Sequence, residues 1–595
     1  MLVRPDRPRH PGVGAGGYRR RVSTEQTDRP DRPNPVAPTA RALADSWVET
    51  LADLDPMVAT TLGVRPGDDR LPDLGPEGLE ALADAERAVL AALPGARVTD
   101  DDDRRCAALL RDRLETRLAL HDAGELLATL RPVACPVHTL QSIFLMMPTA
   151  TPDDWAVVAR RMARVAGATT AYQASLAEGL RTGARSAPRQ AEVVAEQLGQ
   201  WLAADDGAGW FSGFVATAGV PGLESELARA AASATEGVAR LRDWLTDTYL
   251  PAVADVPDAV GRDRYLLGSR MFLGTRVDPE EAYDWGWGEL ARIEAEMAAE
   301  ADRVRAGATP ASAFAYLDAE GAAIDGVAEV AAYLQRLMDD TIADLDGRVV
   351  DVAEPVRRVE AMIAPPGAAA APYYTRPSLD FSRPGRTWLP TLGRTRFPLY
   401  DLVSTWYHEG VPGHHLQLGT WAYRSGALSR FQTSVGSISA TTEGWALYAE
   451  RLMDELGYFE DPGVRLGYLD NQRMRAVRVV IDIGMHLGLR IPASAEAAGF
   501  HPGATWTAGL GEEFFAARSG SPAAFVRSEV VRYLGWPGQA ISYKLGERAW
   551  LAGRTAARRR REIAGGSFDL RAWHTAALGL GSLGLADLER ELGTL

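Results

Sequence analysis

The segment WYHEGVPGHHLQ contains three of the nine histidines of this 595-residue chain, next to a glutamate. Histidine is the commonest metal ligand near neutral pH, so the cluster points to a metal site. His408 and Glu409 begin like the zinc-protease motif H-E-x-x-H, but Pro412 stands where the second histidine of that motif belongs. His414 and His415 follow later. The segment therefore predicts a metal site whose second ligand comes from an altered position.

The spacing of these histidines does not suit an unbroken helix. His408 and His414 would lie about 240° apart around the axis, and His408 and His415 would lie about 10 Å apart along it. However, Pro412 prevents a regular helix, and the glycines on either side of it permit unusual backbone angles. We therefore predict a break in the helix that brings one of the two late histidines back to the metal.

A third ligand is predicted at Glu443, which begins the helical segment EGWALYAE 35 residues after His408. Catalytic zinc sites of the His₂Glu type take a carboxylate from a second helix and keep water in the fourth position. Taken alone, Glu443 would be interpreted as a surface residue, and its position after the histidine cluster is what favours a ligand role. The prediction is one Zn²⁺ ion per chain.

The chemistry of such a site assigns roles to two further residues. Glu409 is adjacent to a ligand and is predicted to be the general base that takes a proton from water and passes it to the leaving amine. Tyr543, in the segment WPGQAISYKLGE, is a candidate donor to the oxyanion, and the adjacent Lys544 is a candidate substrate-binding residue. The alternative for Tyr543 is an ordinary packed tyrosine.

A second polar cluster lies in the segment DNQRMRAVRVVIDIGMHLG. Arg478, Asp482 and His486 follow one another at intervals of four, on one face of a helix. Arginine suits bidentate recognition of a carboxylate, so Arg478 is predicted to bind substrate, and His486 is the next candidate donor after Tyr543. The alternative is an internal network of ion pairs.

The elements that must position these residues are mostly helices. Helical spacing begins at about residue 41, and Asp278 and Pro279 mark the start of a long helix as N-cap and first-turn residues. Residues 348–400 differ, because prolines, glycines and β-branched residues predict short strands around 355–363 and 386–391. The sequence predicts a disordered tail over residues 1–40 and a single, mostly helical domain over residues 41–595.

Composition excludes several classes of protein. A net charge of −15 argues against a nucleic-acid partner, and the two cysteines, Cys106 and Cys135, cannot form a disulfide framework. No apolar run approaches the roughly 18 residues of a membrane span. The first 40 residues lack the apolar segment of a secretory signal, so a cytoplasmic location is predicted. The oligomeric state is left open.

Four motifs together carry a resemblance to a known family. YHEGVPGHHLQ, EGWALYAE, RAVRVVIDIGMHLG and WPGQAISYKLGE, in this order, resemble the bacterial domain-of-unknown-function family 885 over nearly the whole chain after about residue 41. That family is similar to helical zinc metallopeptidases of the gluzincin type. The resemblance implies a large helical metallopeptidase-like fold with a deep groove and a small β-sheet next to the zinc site.

Carried over by position, the resemblance implies His408, His414 and Glu443 as zinc ligands and Glu409 as the base. It favours His414 over His415, which is kept as the second choice. Many gluzincins have an acidic residue four positions after the ligand glutamate, where this chain has Leu447. The groups that support the ligands must therefore be supplied differently.

These observations predict a zinc-dependent peptidase that cleaves small peptides. One alternative is a zinc amidase or esterase acting on a non-peptide substrate, which would use the same site. Another is a non-catalytic peptide-binding relative, although such a protein needs no base at Glu409. A third is a structural metal site, closed by four protein ligands.

Overall fold

The structure is a computed structural model that describes residues 37–365, 371–494 and 500–595. The predicted disordered tail, residues 1–40, lies outside the described residues except for its last positions, and the first helix begins at Ala40. Pro38–Leu595 form one unit.

The N-terminal part of the described chain is helical. Its helices are α1 (Ala40–Leu54), α2 (Pro56–Thr61), α3 (Pro76–Ala92), α4 (Asp101–Asp122), α5 (Pro136–Met146), α6 (Pro152–Met162), α7 (Val165–Thr182), α8 (Pro188–Ala203), α9 (Trp210–Ala216), α10 (Glu224–Trp244), α11 (Leu250–Ala252), α12 (Arg262–Leu273) and α13 (Pro279–Val304). The carboxylate of Asp278 accepts hydrogen bonds from the first turn of α13, which confirms the predicted helix start. Helices α5 to α10 surround a hydrophobic core of their own.

Two small sheets follow in the region that was predicted to contain strands. The elements are α14 (Pro310–Glu320), β1 (Ala323–Asp325), α15 (Val327–Leu345), β2 (Val359–Ile363), β3 (Tyr373–Thr375), β4 (Gly385–Leu389) and β5 (Arg396–Pro398). Strand β4 is central, parallel to β2 and antiparallel to β3, while β1 pairs with β5 antiparallel. The strand predicted from residue 355 begins later, because Glu354–Arg357 form a short 3₁₀ helix around Pro355.

The C-terminal part returns to helices and contains the motifs. Its helices are α16 (Leu399–Glu409), α17 (His414–Tyr423), α18 (Arg430–Thr433), α19 (Ser439–Glu455), α20 (Pro462–Leu487), α21 (Ala508–Ser519), α22 (Ala523–Gly535), α23 (Ser542–Ile563), α24 (Leu570–Leu578) and α25 (Leu585–Thr594). They share the largest hydrophobic core with α1, α4, α12 and α13. The prediction of a mostly helical fold with a small β-sheet is confirmed.

Close helix packing in this core brings separate motifs together. Helices α19 and α23 cross at Gly444 and Gly546, where a side chain on Gly444 would collide with the backbone of Gly546. The close crossing places the start of α19, with Glu443, near the start of α23, with Tyr543. Within the described residues, no helix combines the length and the apolar character that crossing a membrane requires.

Candidate functional site

The histidine segment is broken between α16 and α17, as its proline predicts. Helix α16 ends at Glu409, and the Gly413 N–H donates to the Tyr407 carbonyl oxygen at 2.9 Å, which closes a turn wider than an α-helical one. A side chain on Gly413 would collide with the carbonyl oxygen of His408. The turn brings the ring of His414 face to edge with that of His408, their centres 4.8 Å apart.

Helix α19 adds a carboxylate to this pair of imidazoles. Oε2 of Glu443 lies 3.4 Å from Nε2 of His408 and 3.6 Å from Nε2 of His414. The indole N–H of Trp445 donates to the Pro412 carbonyl oxygen at 2.9 Å and so ties α19 to the broken turn. The three side chains predicted as metal ligands are therefore adjacent.

Sequence reasoning missed Glu450, which orients His408 from behind. His408 Nδ1 donates to Oε1 of Glu450 at 2.7 Å, and the Ser404 hydroxyl donates to its Oε2, also at 2.7 Å. Glu450 is fully buried. It follows Glu443 by seven residues, or about two turns, so both carboxylates lie on one face of α19. That spacing was the available signal, whereas the position four after Glu443 is the apolar Leu447.

The pKa values of the two glutamates that face the histidines are shifted in opposite directions. Burial raises the pKa of Glu409 and outweighs the opposing effect of the nearby His414, His408 and Arg475. Burial also acts on Glu443, but the adjacent imidazoles of His408 and His414 outweigh it and hold the pKa of this carboxyl well below its usual range. Ligand atoms of His408, Glu409 and His414 lie within 4.8 Å of one another. Glu443 thus stays ionised, and Glu409 is the better proton acceptor.

His415, the second choice for a ligand, lies on the other side of α17. Its Nε2–H donates to the Val356 carbonyl oxygen at 2.6 Å, and its Nδ1 accepts from the Tyr374 hydroxyl at 2.9 Å. Burial lowers its pKa to about 4, so the ring is neutral. Because both ring nitrogens are occupied, His415 fastens α17 to the sheet region and does not reach the cluster.

A cavity of about 580 Å³ opens onto His408, Glu409, His414 and Glu443. Tyr543 lines this cavity, as expected of a group that acts on a bound substrate. Burial raises the pKa of its phenol, so the hydroxyl keeps its proton.

Arg478 also lines the cavity, but it is already paired. Its guanidinium donates to Glu529 at 2.9 Å and to the Tyr533 hydroxyl at 2.8 Å, and lies over the ring of Tyr543. The alternative interpretation, an ion-pair network, therefore accounts for most of its hydrogen-bonding capacity.

Two predicted residues do not line the cavity. Lys544 is fully buried on the opposite side of α23, where it pairs with Glu289 and Glu547 and donates to Gln472. The prediction that it binds substrate is wrong, because the residue after Tyr543 on a helix points about 100° away.

His486 is the second predicted residue that does not line the cavity. Its Nε2–H donates to the Tyr533 carbonyl oxygen at 3.1 Å, and its Nδ1 accepts from the Val260 N–H at 3.4 Å. Burial lowers its pKa to about 4. His486 is a neutral core histidine, and the prediction that it could replace Tyr543 as a donor is wrong.

Of the remaining lining residues, Asn471, Met474 and Arg475 come from the segment DNQRMRAVRVVIDIGMHLG, and the others lie outside the four motifs. The whole remaining set is Ala371, Pro372, Tyr373, Tyr374, Arg376, Thr405, Leu418, Thr442, Asn471, Met474, Arg475 and Phe525. Strand β3 and the residues beside it form one wall, and α20 forms another. Since these segments are distant in sequence, their convergence is a property of the tertiary fold.

Comparison with known proteins gives a family and a fold. The model of the family described as "Bacterial protein of unknown function (DUF885)" matches residues 56–592. No curated protein matches the chain. A "putative lipoprotein from Colwellia psychrerythraea" shares 20% identity and a TM-score of 0.74 over 93% of this chain and 98% of its own. A "putative lipoprotein of unknown function from Shewanella oneidensis" shares 17% identity and a TM-score of 0.71 over 93% of this chain and 100% of its own.

These neighbours contradict the predicted cytoplasmic location, because both are described as lipoproteins. That prediction depended only on the composition of residues 1–40, and it is wrong.

Proposed function

The chain belongs to the DUF885 family of bacterial proteins, and we propose that it is a zinc-dependent hydrolase that cleaves peptide bonds in short peptides. The observation that carries the proposal is the convergence of His408, His414 and Glu443 beside a cavity that also contains Glu409. A likeness to gluzincin-type peptidases is part of this proposal.

The donor set suits a zinc ion in number and type, and the distances from Glu443 to the two histidines match the spacing of zinc ligands. Two ligands held about 2.0–2.2 Å from one ion at a tetrahedral angle are separated by about 3.3–3.6 Å. Glu443 lies 3.4 and 3.6 Å from the two imidazole nitrogens. Because His408 makes its hydrogen bond to Glu450 through Nδ1, its Nε2 can bind a metal. This arrangement is typical of zinc-ligating histidines. Three protein ligands and an open cavity favour a catalytic site over a closed structural one.

The reaction depends on the residues around those ligands. A zinc ion held there would supply a Lewis acid and a water acidified toward neutral pH. Glu409, whose pKa is raised by burial, accepts a proton from the attacking water and returns it to the leaving amine. Tyr543 donates its phenolic proton in a hydrogen bond to the carbonyl oxygen as negative charge develops there.

The size of the cavity limits the substrate. About 580 Å³ is within the range of small-molecule sites and holds a segment of a few residues rather than a folded chain. Leu418, Met474 and Phe525 supply an apolar part of the wall.

As for location, we propose a membrane-anchored or extracellular protein, on the ground that both structural neighbours are described as lipoproteins.

Metal analysis combined with a peptide digest tests the proposal. The purified chain should contain one zinc per molecule, and His408→Ala, His414→Ala and Glu443→Ala should each lose it. His501→Ala is the matched control, because His501 is an exposed residue paired with Glu513 on the surface. Mass spectrometry of a short-peptide library should show cleavage that a chelator abolishes and zinc restores. Full zinc content in all three variants would place the metal elsewhere, and an uncleaved library would rule out the peptidase.

A further inference from the structure

The charges that line the cavity do not balance. Three arginines, Arg376, Arg475 and Arg478, face two glutamates, Glu409 and Glu443. A divalent ion bound by the histidines would add two positive charges. The lining itself therefore carries more cationic than anionic side chains, although the chain as a whole carries a net charge of −15.

Two of the three arginines have carboxylate partners outside the cavity. Arg478 pairs with Glu529 at 2.9 Å. Arg475 lies 3.9 Å from Glu450, the carboxylate that orients His408. Arg478 is therefore committed to the cavity wall, and Arg475 has a carboxylate neighbour at a longer distance.

Arg376 differs from both. It follows strand β3, and its guanidinium donates to the Thr433 carbonyl oxygen. It forms no ion pair with an aspartate or glutamate in the part of the chain that the structure describes. A partly buried guanidinium without a counter-charge is costly, and a bound carboxylate would supply both the charge and a bidentate pair of acceptors.

We propose that Arg376 is a specificity-determining residue that binds a carboxylate of the substrate, so that the enzyme prefers short peptides carrying a carboxylate next to the cleaved bond. This inference rests on the proposed peptidase function and deepens it by naming the substrate class. Two sources share the required chemistry, namely the C-terminal carboxylate of the peptide and the side chain of an acidic residue. The apolar wall formed by Leu418, Met474 and Phe525 would receive a neighbouring apolar side chain.

Binding of three probes tests the inference without requiring turnover. The probes are acetyl-Phe-Leu with a free carboxylate, acetyl-Phe-Leu amide and acetyl-Phe-Glu amide, titrated calorimetrically into the full chain carrying Glu409→Gln so that they remain intact. We expect one of the two carboxylate probes to bind about 10- to 100-fold more tightly than acetyl-Phe-Leu amide. The probe that does so identifies the carboxylate as terminal or as belonging to a side chain.

Three further substitutions in this background assign the preference to one residue. Arg376→Gln should abolish the preference for the carboxylate probe. Arg376→Lys should retain part of it, because lysine keeps the positive charge but lacks the planar guanidinium. Arg394→Gln removes an equal charge from a surface pair with Asp401, away from the cavity lining, and should leave the preference intact. Zinc content and melting temperature are measured on each protein, so that loss of metal or of the fold is recognised.

The outcomes separate this inference from the proposed function. Equal affinity for the three probes, no binding of any probe, or an unchanged preference in Arg376→Gln would overturn the role of Arg376. If Arg376→Gln does not fold, a preference in Arg376→Lys as strong as in the parent chain would count against bidentate recognition. Cleavage of the peptide library by the wild-type chain tests the peptidase separately, because a non-catalytic protein could retain the carboxylate preference.

Discussion

Two clusters of this protein combine histidine with a carboxylate, and only one of them opens onto the cavity described above. In the first, His408, His414 and Glu443 direct their free nitrogen and oxygen atoms toward one another beside a cavity. In the second, Asp482 and His486 lie one turn apart on α20, with Nε2 of His486 3.9 Å from Oδ1 of Asp482, and they do not line that cavity. The same residue types therefore have different consequences in the two places.

The hydrogen-bond partners explain the difference. Both ring nitrogens of His486 are bound to backbone groups of Val260 and Tyr533, so the ring is neutral and has no capacity for a ligand. His408 binds Glu450 through Nδ1 only, and its Nε2 remains available. A histidine with one committed nitrogen and one free nitrogen at a cavity is a candidate ligand, whereas a histidine with two committed nitrogens is a structural residue.

Adjacent residues show the same contrast. His415 is bound at both nitrogens by Val356 and Tyr374, and His414, its neighbour in sequence, faces Glu443. The distinction between the two clusters therefore depends on the surroundings of each ring, and it can be tested by equivalent substitutions in both.

The largest expected effect is that of Glu409→Gln. The amide keeps the shape but cannot accept the proton, so turnover of a cleaved peptide should fall by at least about 10²-fold. Zinc content should remain near one per chain, because Glu409 is not among the proposed ligands. Steady-state kinetics and metal analysis on the same preparation check both points, and wild-type turnover would exclude Glu409 as the base.

Tyr543→Phe should have the next largest effect, and Tyr265→Phe is its counterpart in the second cluster. Removal of the Tyr543 hydroxyl should lower kcat by about 10- to 10³-fold with little change in KM, because the hydrogen bond strengthens only as charge develops. Tyr265 donates to Asp482 at 2.8 Å, so its loss should cost about 1 kcal/mol of unfolding free energy and leave kcat unchanged. An unaltered kcat in Tyr543→Phe would remove this residue from the mechanism.

A smaller effect is expected for Glu450→Gln, which weakens the support of His408. Loss of a charged partner behind a metal-ligating histidine typically costs about 10- to 100-fold in metal affinity. Zinc titration against a competing chelator measures this change. Glu455→Gln is the control, since Glu455 lies on the same helix and pairs with Arg554 at a more exposed position. Equal zinc affinities in the two variants would show that Glu450 does not support the metal.

Asp482→Asn should leave turnover unchanged. It should instead change the pH dependence of stability. Burial raises the pKa of Asp482 to about 7, and its Oδ1 is buried with no partner among the described atoms, so this oxygen would carry the proton.

The sign of this pH dependence follows from proton binding. The folded state holds a proton that the unfolded state releases above about pH 4, so this residue lowers the stability of the wild-type chain as pH rises from about 4 to 7. Thermal unfolding across this range should show a smaller decline in the variant. The same slope in both proteins would contradict the raised pKa.

Much of the local structure could be predicted from the sequence. The N-cap at Asp278 and the break at Pro412 depend on a few neighbouring residues, and both predictions are confirmed. The start of the first predicted strand was misplaced, because Pro355 favours a short 3₁₀ helix there. Glu450 was not predicted, because the supporting carboxylate was expected four positions after Glu443, where the chain has Leu447.

By itself, the sequence determined the residue types of the site, the mostly helical fold and the interruption between α16 and α17. These depend on local spacing and on proline and glycine, whose backbone restrictions act within a few residues. Only the tertiary structure decided that both ring nitrogens of His415 are occupied, that Lys544 is buried in ion pairs, and that Arg376 lines the cavity without a carboxylate partner among the described residues. The physical reason is that the partner of a buried polar group comes from a distant segment, and the packing of the core determines which segment that is.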